Sequence, residues 1–137
     1  MRAGVEYLRE AGSKSIFTVG FCFGGRNSWL SAAGGHGLAG AAGFYGHPGE
    51  RETPGPTKRA GEIDAPILAL QAGDDQNISA ELNAEFDAAL AAAGVEHEVV
   101  TYAGAPHSFF DRRYEEFADD SADAWRRVLE FIERYGA

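Results

Sequence analysis

Apolar runs and stretches of helical periodicity alternate along the chain. Val5 and Leu8 stand at helical spacing among charged residues, which predicts an amphipathic helix over about 2–11. The β-branched and aromatic run Ser15-Ile16-Phe17-Thr18-Val19 predicts a strand over 15–21, and the segment after it a helix over 25–33, closed by Gly34-Gly35. Further strands are predicted at 38–45, 66–72 and 96–102; Ala65 to Ala72 is continuously apolar, as in a parallel strand covered on both faces. Helices are predicted at 79–92, with the stripe Glu81, Leu82, Phe86 and Leu90, and at about 118–135, with Trp125, Val128, Leu129 and Ile132. Both stripes read as core. Residues 46–64, carrying Pro48, Pro54, Pro56 and mixed charges, read as a surface excursion. This alternation requires an α/β fold: a parallel sheet of about four strands, flanked by helices and joined by right-handed crossovers. No repeat or low-complexity segment interrupts it, and 1–137 reads as a single domain.

Composition narrows the function classes. At 137 residues the chain is long enough to bury about two thirds of the surface it exposes unfolded. A net charge of −9 and a pI near 4.8 argue against nucleic acid and anionic membranes as partners, since both need a basic face. Nothing near the start resembles a signal peptide or a membrane span. The single cysteine makes no internal disulfide, and a free thiol is best preserved in a reducing cytoplasm.

Three short segments carry the candidate chemistry. Gly20-Phe21-Cys22-Phe23-Gly24-Gly25 sits between a predicted strand and a predicted helix, where a nucleophile on a sharp turn needs neighbours almost free of side chain. Gly20 and Gly24, two positions either side of Cys22, are expected to meet that need. Cys22 would stand at a helix N-terminus, where the dipole favours the thiolate that attacks a carbonyl. Gly73-Asp74-Asp75-Gln76-Asn77-Ile78 ends the apolar strand, so either Asp75 or Asp74 lies where open α/β sheets place their sites; Asp75 is preferred, three residues before Ile78. His107 follows the last strand across a Gly-, Ala- and Pro-containing loop and can reach back to the turn as a base. His36, His47 and His97 compete weakly with it. No pair of histidines has metal-site spacing, and neither a metal nor a cofactor is called for. The order nucleophile, acid, base is the order of α/β-hydrolases, with cysteine in the place of serine.

With Tyr102-Ala103-Gly104-Ala105-Pro106-His107-Ser108-Phe109, these segments resemble the dienelactone hydrolase family, whose members hydrolyse carboxymethylenebutenolide with a Cys-His-Asp triad. The resemblance implies Cys22 as nucleophile, His107 as base and Asp75 as the acid that orients it. The Phe23 N–H becomes half of an oxyanion hole, and Phe21, Phe23, Tyr45, His47, Phe109 and Phe110 become candidates for an aromatic pocket wall. It also implies a partial α/β-hydrolase fold, because family members have further strands before the elbow and here the elbow strand begins near residue 15. The missing part would supply the second oxyanion donor and a substrate-binding arginine. Some members place another such arginine four residues after the histidine; here that residue is Asp111, with Arg112 and Arg113 next, and Arg112 is the candidate.

These readings give an ester or lactone hydrolase working through an acyl-enzyme, with a small-molecule substrate and a preference for activated acyl groups such as enol lactones or thioesters. The strand at 15–21 would then be an exposed edge, inviting a homodimer or a complementing chain. The alternative is a truncated, non-catalytic α/β domain or one part of a complex. A thiol redox sensor would use the same Cys22 but has no resolving cysteine.

Overall fold

In the computed structural model, which describes residues 1–136, the alternation becomes a four-stranded parallel sheet. The strands β1 (Phe17–Phe21), β2 (Gly40–Phe44), β3 (Ile67–Asp74) and β4 (His97–Pro106) lie in the order β1-β2-β3-β4. Four α-helices, α1 (Arg2–Glu10), α2 (Phe23–Ser31), α3 (Ala80–Ala92) and α4 (Ala118–Tyr135), lie between and around them. A single 3-10 turn at Ala60–Glu62 breaks the long connection after β2.

Side chains alternate across a strand, so each strand feeds two cores. Ala41, Ile67 and Ala69 join Val5 of α1, Trp29 of α2 and Ala32 just after it, and Phe86 and Leu90 of α3. On the other face Ala42, Phe44, Leu68 and Leu70 join Ala124, Val128 and Phe131 of α4. The pairing Ala41 with Ile67 and Ala42 with Leu68 keeps the two sets in register. Trp29 is fully buried, its ring 5.0 Å from that of Phe86, and its Nε1–H donates to the Leu68 carbonyl at 3.1 Å. Gly43 makes room for it, since a Cβ there would stand 2.6 Å from the indole. The Ser79 Oγ accepts the Leu82 N–H at 3.2 Å and caps α3.

An ion-paired cluster fixes α4 to β4. The Tyr102 hydroxyl donates to Asp123 at 2.8 Å, Arg127 Nε–H donates to the same carboxylate at 2.8 Å, and Arg127 also bonds Glu98. Hydrogen bonds from Arg127, then Arg126 and Tyr102, hold the Asp123 carboxyl well below its ordinary range. A carboxylate depressed in this way contributes stability above its unfolded pKa, lost as pH falls through the folded value.

Several sequence expectations are corrected. β3 and β4 run on to Asp74 and Pro106 instead of ending at 72 and 102, because a register shift between Ala72 and Asp74 lets them keep pairing as they bend. His107 therefore leaves the end of a strand directly. The buried face of α4 is Ser121, Ala124, Val128 and Phe131, and Trp125 and Leu129 are left 44% and 52% exposed. Small side chains let that face approach closely, with Ser121 Oγ–H donating to the Phe109 carbonyl at 3.2 Å. On α3, polar Asn83 takes a core position beside Phe86 and Leu90. β1 pairs only with β2 among the described residues, and Val19 on it is 40% exposed. No helix of the described residues is long and apolar enough to cross a membrane.

Candidate active site

The carboxyl ends of all four strands converge on one edge of the sheet: Cys22 follows β1, Tyr45 follows β2, Asp75 follows β3 and His107 follows β4. The three non-glycine residues with positive φ among those described are Cys22 (58°), Tyr45 (38°) and Ser108 (67°), two of them on that edge and the third beside His107. Such backbone persists only where its surroundings enforce it. At Cys22 two anchors do so. Its N–H donates to the Phe44 carbonyl at 3.0 Å, and its own carbonyl accepts the first bonds of α2, from the N–H groups of Gly25 and Arg26 at 3.0 and 3.3 Å.

The steric need for glycine falls on Gly20 as expected, and on Gly25 in place of Gly24. A Cβ on Gly20 would lie 1.9 Å from the Gly24 carbonyl oxygen, and one on Gly25 would lie 2.7 Å from that of Phe44. A Cβ on Gly24 would meet nothing within 4 Å. The tight approaches are thus strand to helix backbone at Gly20, and helix to β2 backbone at Gly25.

His107 bridges the other two groups. Its Nε2 lies 3.1 Å from Cys22 Sγ and its Nδ1 2.7 Å from Asp75 Oδ2. The Asp75 side chain is 1% exposed, with its second oxygen accepting the Asn77 N–H at 3.0 Å. Asp74 is still in the β3 ladder opposite Pro106, so it is Asp75 that meets the imidazole. Tyr45, fully buried, sets its ring 4.9 Å from that of His107, and burial, then the negative charge of Asp111, pushes its hydroxyl pKa up. A thiol, an imidazole and a buried carboxylate in series can pass a proton away from sulfur, which is what acyl transfer by a cysteine needs.

Cys22 opens into a cavity of about 750 Å³, lined also by Phe23, Arg26, Tyr45, His47, Arg51, Glu52, Thr53, Asn77, Ile78 and His107. Of the residues expected on its wall, Phe23, Tyr45 and His47 are there. Phe109 is not: it is fully buried between Tyr45 and Tyr102, a core residue. Phe21 stacks on Phe44 and Phe110, with centroids 4.8 and 5.5 Å away, on the α4 side of the sheet. Arg112 does not line the cavity either; it is exposed, its N–H bonded to Asp111.

Sequence reasoning missed Arg26. One turn after Cys22 on α2, it is 5% exposed, and its guanidinium donates to the carbonyls of His47 (2.8 Å), Thr53 (3.1 Å) and Gly49. It ties the segment after β2 down as one wall of the cavity. Burial and the neighbouring Arg51 charge lower its pKa. Gln71, fully buried on β3, holds the same wall from beneath, donating to the Gly46 carbonyl and to Asn83 at 2.8 Å each. The signal for Arg26 was its spacing from Cys22, which puts both on one helix face. Burial first, then the charges of Arg51 and Arg26, lower the pKa of His47.

Residues 1–136 match the model of the dienelactone hydrolase family. A protein of Escherichia coli K12 named "Putative carboxymethylenebutenolidase" is 36% identical over 126 residues, covering 88% of this chain and 46% of that protein. One of the same name from Saccharolobus solfataricus is 35% identical over 130 residues, covering 94% and 48%. The crystal structure titled "Putative Dienelactone Hydrolase" from Klebsiella pneumoniae superposes with a TM-score of 0.87 at 29% identity, covering 96% of this chain and 58% of that one. The chain thus spans about half the length of the relatives it matches.

Proposed function

Because the chain belongs to the dienelactone hydrolase family, a family of hydrolases, we propose that it cleaves an ester or lactone through an acyl-enzyme on Cys22. The observation that carries this is His107 lying within hydrogen-bond reach of both the Cys22 sulfur and the buried Asp75. In this mechanism the thiol proton passes to His107 Nε2 as sulfur bonds to the substrate carbonyl carbon, and Asp75 steadies the imidazolium through Nδ1–H. The carbonyl oxygen, now an oxyanion, takes the Phe23 N–H, which as the first residue of α2 has no acceptor within the helix. Collapse breaks the C–O bond, and the leaving alkoxide or enolate takes the proton from His107. Water, deprotonated by the same imidazole, then attacks the thioester; the C–S bond breaks, the acid leaves and the thiol is restored. A thiolate leaves well, so the tetrahedral intermediate goes forward best when the substrate's own leaving group is good, which favours activated esters, enol lactones and thioesters over amides. This chemistry also suits the cytoplasm, where thiols stay reduced.

The test is a substrate panel. Purified chain should hydrolyse p-nitrophenyl acetate, a phenyl thioester and an enol lactone, and leave the matching p-nitroanilide intact. Amide cleavage at a rate comparable with the ester would contradict this preference for good leaving groups.

A second proposal concerns β1. One of its edges is unpaired among the described residues, and Val19 on it is an exposed apolar side chain. An open edge beside apolar surface pairs with another strand, so this edge is expected to be covered by a second copy or by a complementing chain. Sedimentation of the purified chain should show a concentration-dependent dimer, reduced by Val19→Lys; a monomer at every concentration, unaltered by polypeptide supplying the front part of a family member, would contradict it.

A further inference from the structure

Resting on the hydrolase reading above, we propose that Tyr45 is a positioning residue whose ring holds the His107 imidazole in line with Asp75 once the Cys22 sulfur is acylated and no longer bonds it. The placement of that ring is built into the backbone. Side chains along β2 alternate, with Ala41 in the core under α2 and α3, and Ala42 and Phe44 in the core under α4. Alternation would send residue 45 after Ala41 and Gly43, to the face where a Cβ on Gly43 would stand 2.6 Å from the Trp29 indole. Instead φ at Tyr45 is 38°, and its side chain joins Phe44 in the core under α4. Three bonds lock the turn onto its neighbours: the Phe44 carbonyl accepts the Cys22 N–H at 3.0 Å, the Tyr45 N–H donates to the Leu70 carbonyl at 2.9 Å, and the Gly46 carbonyl accepts from Gln71 at 2.8 Å. Backbone strain enforced from both sides delivers the ring to the base.

The two rings meet at a centroid distance of 4.9 Å and an angle of 56°, and Phe109 packs on Tyr45 at 5.5 Å. Fully buried at native packing density, Tyr45 does not swing aside. Both imidazole nitrogens are bonded elsewhere, Nε2 to the sulfur and Nδ1 to Asp75, so the contact with Tyr45 is ring against ring. Acylation removes the sulfur as a partner, since a thioester sulfur carries no proton and accepts weakly. What remains is one bond to Asp75 and the contact with Tyr45, and a side chain 34% exposed has room to turn about a single bond. Deacylation, in which His107 deprotonates water, therefore depends on the ring more than acylation does. The hydroxyl has no share in this: burial, then the charge of Asp111, raises its pKa, so it brings no charge to the imidazole.

With p-nitrophenyl acetate, kcat/KM reports acylation, and kcat reports hydrolysis of the acyl-enzyme where that step is slow. Tyr45→Leu should lower kcat about tenfold or more while kcat/KM falls by less than about threefold, and acetylated Cys22 should accumulate in the steady state. Tyr45→Phe keeps the ring and should restore most of kcat. Tyr45→Met fills the same core space without a ring, should behave as Tyr45→Leu does, and serves if that variant does not fold. Equal falls in kcat and kcat/KM, unchanged kinetics, or a loss in Tyr45→Phe as large as in Tyr45→Leu would overturn the proposal. A second arm needs no turnover, so a parent chain that hydrolyses nothing would count against the hydrolase reading alone. Cys22→Ala removes the sulfur contact as acylation does. The proton resonance of His107 Nδ1, bonded to Asp75, should stay resolved in Cys22→Ala and broaden away when Tyr45→Leu is added. Its loss in Cys22→Ala alone, or its persistence in both, would refute the role of Tyr45.

Discussion

Cys22→Ala and His107→Ala are each expected to reduce hydrolysis of an activated ester by a factor on the order of 10³ or more, and the double variant to be no worse than either single one. The reason is geometric. His107 is the one group touching both the sulfur, at 3.1 Å, and the carboxylate, at 2.7 Å, so removing either end of the contact stops the same proton transfer. Members of such a unit fail together, and their losses do not add. Asp75→Asn should cost less, since it spoils the orientation and charge of the imidazole but leaves the nucleophile in place. Cys22→Ser should also be poor, because a hydroxyl of far higher pKa asks more of the base and of the oxyanion donors. Initial rates with p-nitrophenyl acetate measure all of these. Wild-type rates in Cys22→Ala would remove the thiol from the mechanism.

The second large effect is on stability, and it separates two glycines that look alike in sequence. Gly20→Ala sets a methyl 1.9 Å from the Gly24 carbonyl oxygen and 2.2 Å from its carbon, both backbone atoms at the start of α2. Relief requires lifting that helix off β1, and the expected cost is about 3 kcal/mol or more. Gly24→Ala meets nothing within 4 Å, and alanine suits a helix better than glycine, so it should be neutral or slightly stabilising. Urea midpoints decide it: equal losses at the two positions, or a larger one at Gly24, would contradict the packing described for the elbow.

That pair shows where the sequence was legible and where it was not. The strand and helix order, the elbow at Cys22 and the three chemical segments follow from local signals: apolar runs, glycines at a turn, and polar residues just beyond strand ends. Long-range packing decided the rest. Which glycine is crowded depends on how close α2 comes to β1 and β2, and nothing local to Gly24 tells it from Gly20. Phe109 and Phe21 look like pocket aromatics because they flank catalytic-type residues, yet Phe109 is fully buried beside Tyr102 and Phe21 stacks on Phe44, since strand-end geometry turns them away from the cavity. The apolar stripe of α4 misled for a related reason. Ser121 and Ala124 bring that helix close to the sheet, and the bulky Trp125 and Leu129 are left on the rim. Residues 46–64 read as solvent-facing because they are rich in proline and charge; Arg26, a residue type usually left on helix surfaces, folds them over the site.

The central claim is that the Cys22 sulfur becomes acylated during turnover. Acid-quenching the chain with p-nitrophenyl acetate and mapping its peptides by mass spectrometry tests this directly. The account predicts an acetyl group on the peptide containing Cys22, formed within the first turnover and absent in both Cys22→Ala and His107→Ala. Hydrolysis proceeding with Cys22 unmodified, or with the acetyl group carried on another residue, would contradict it.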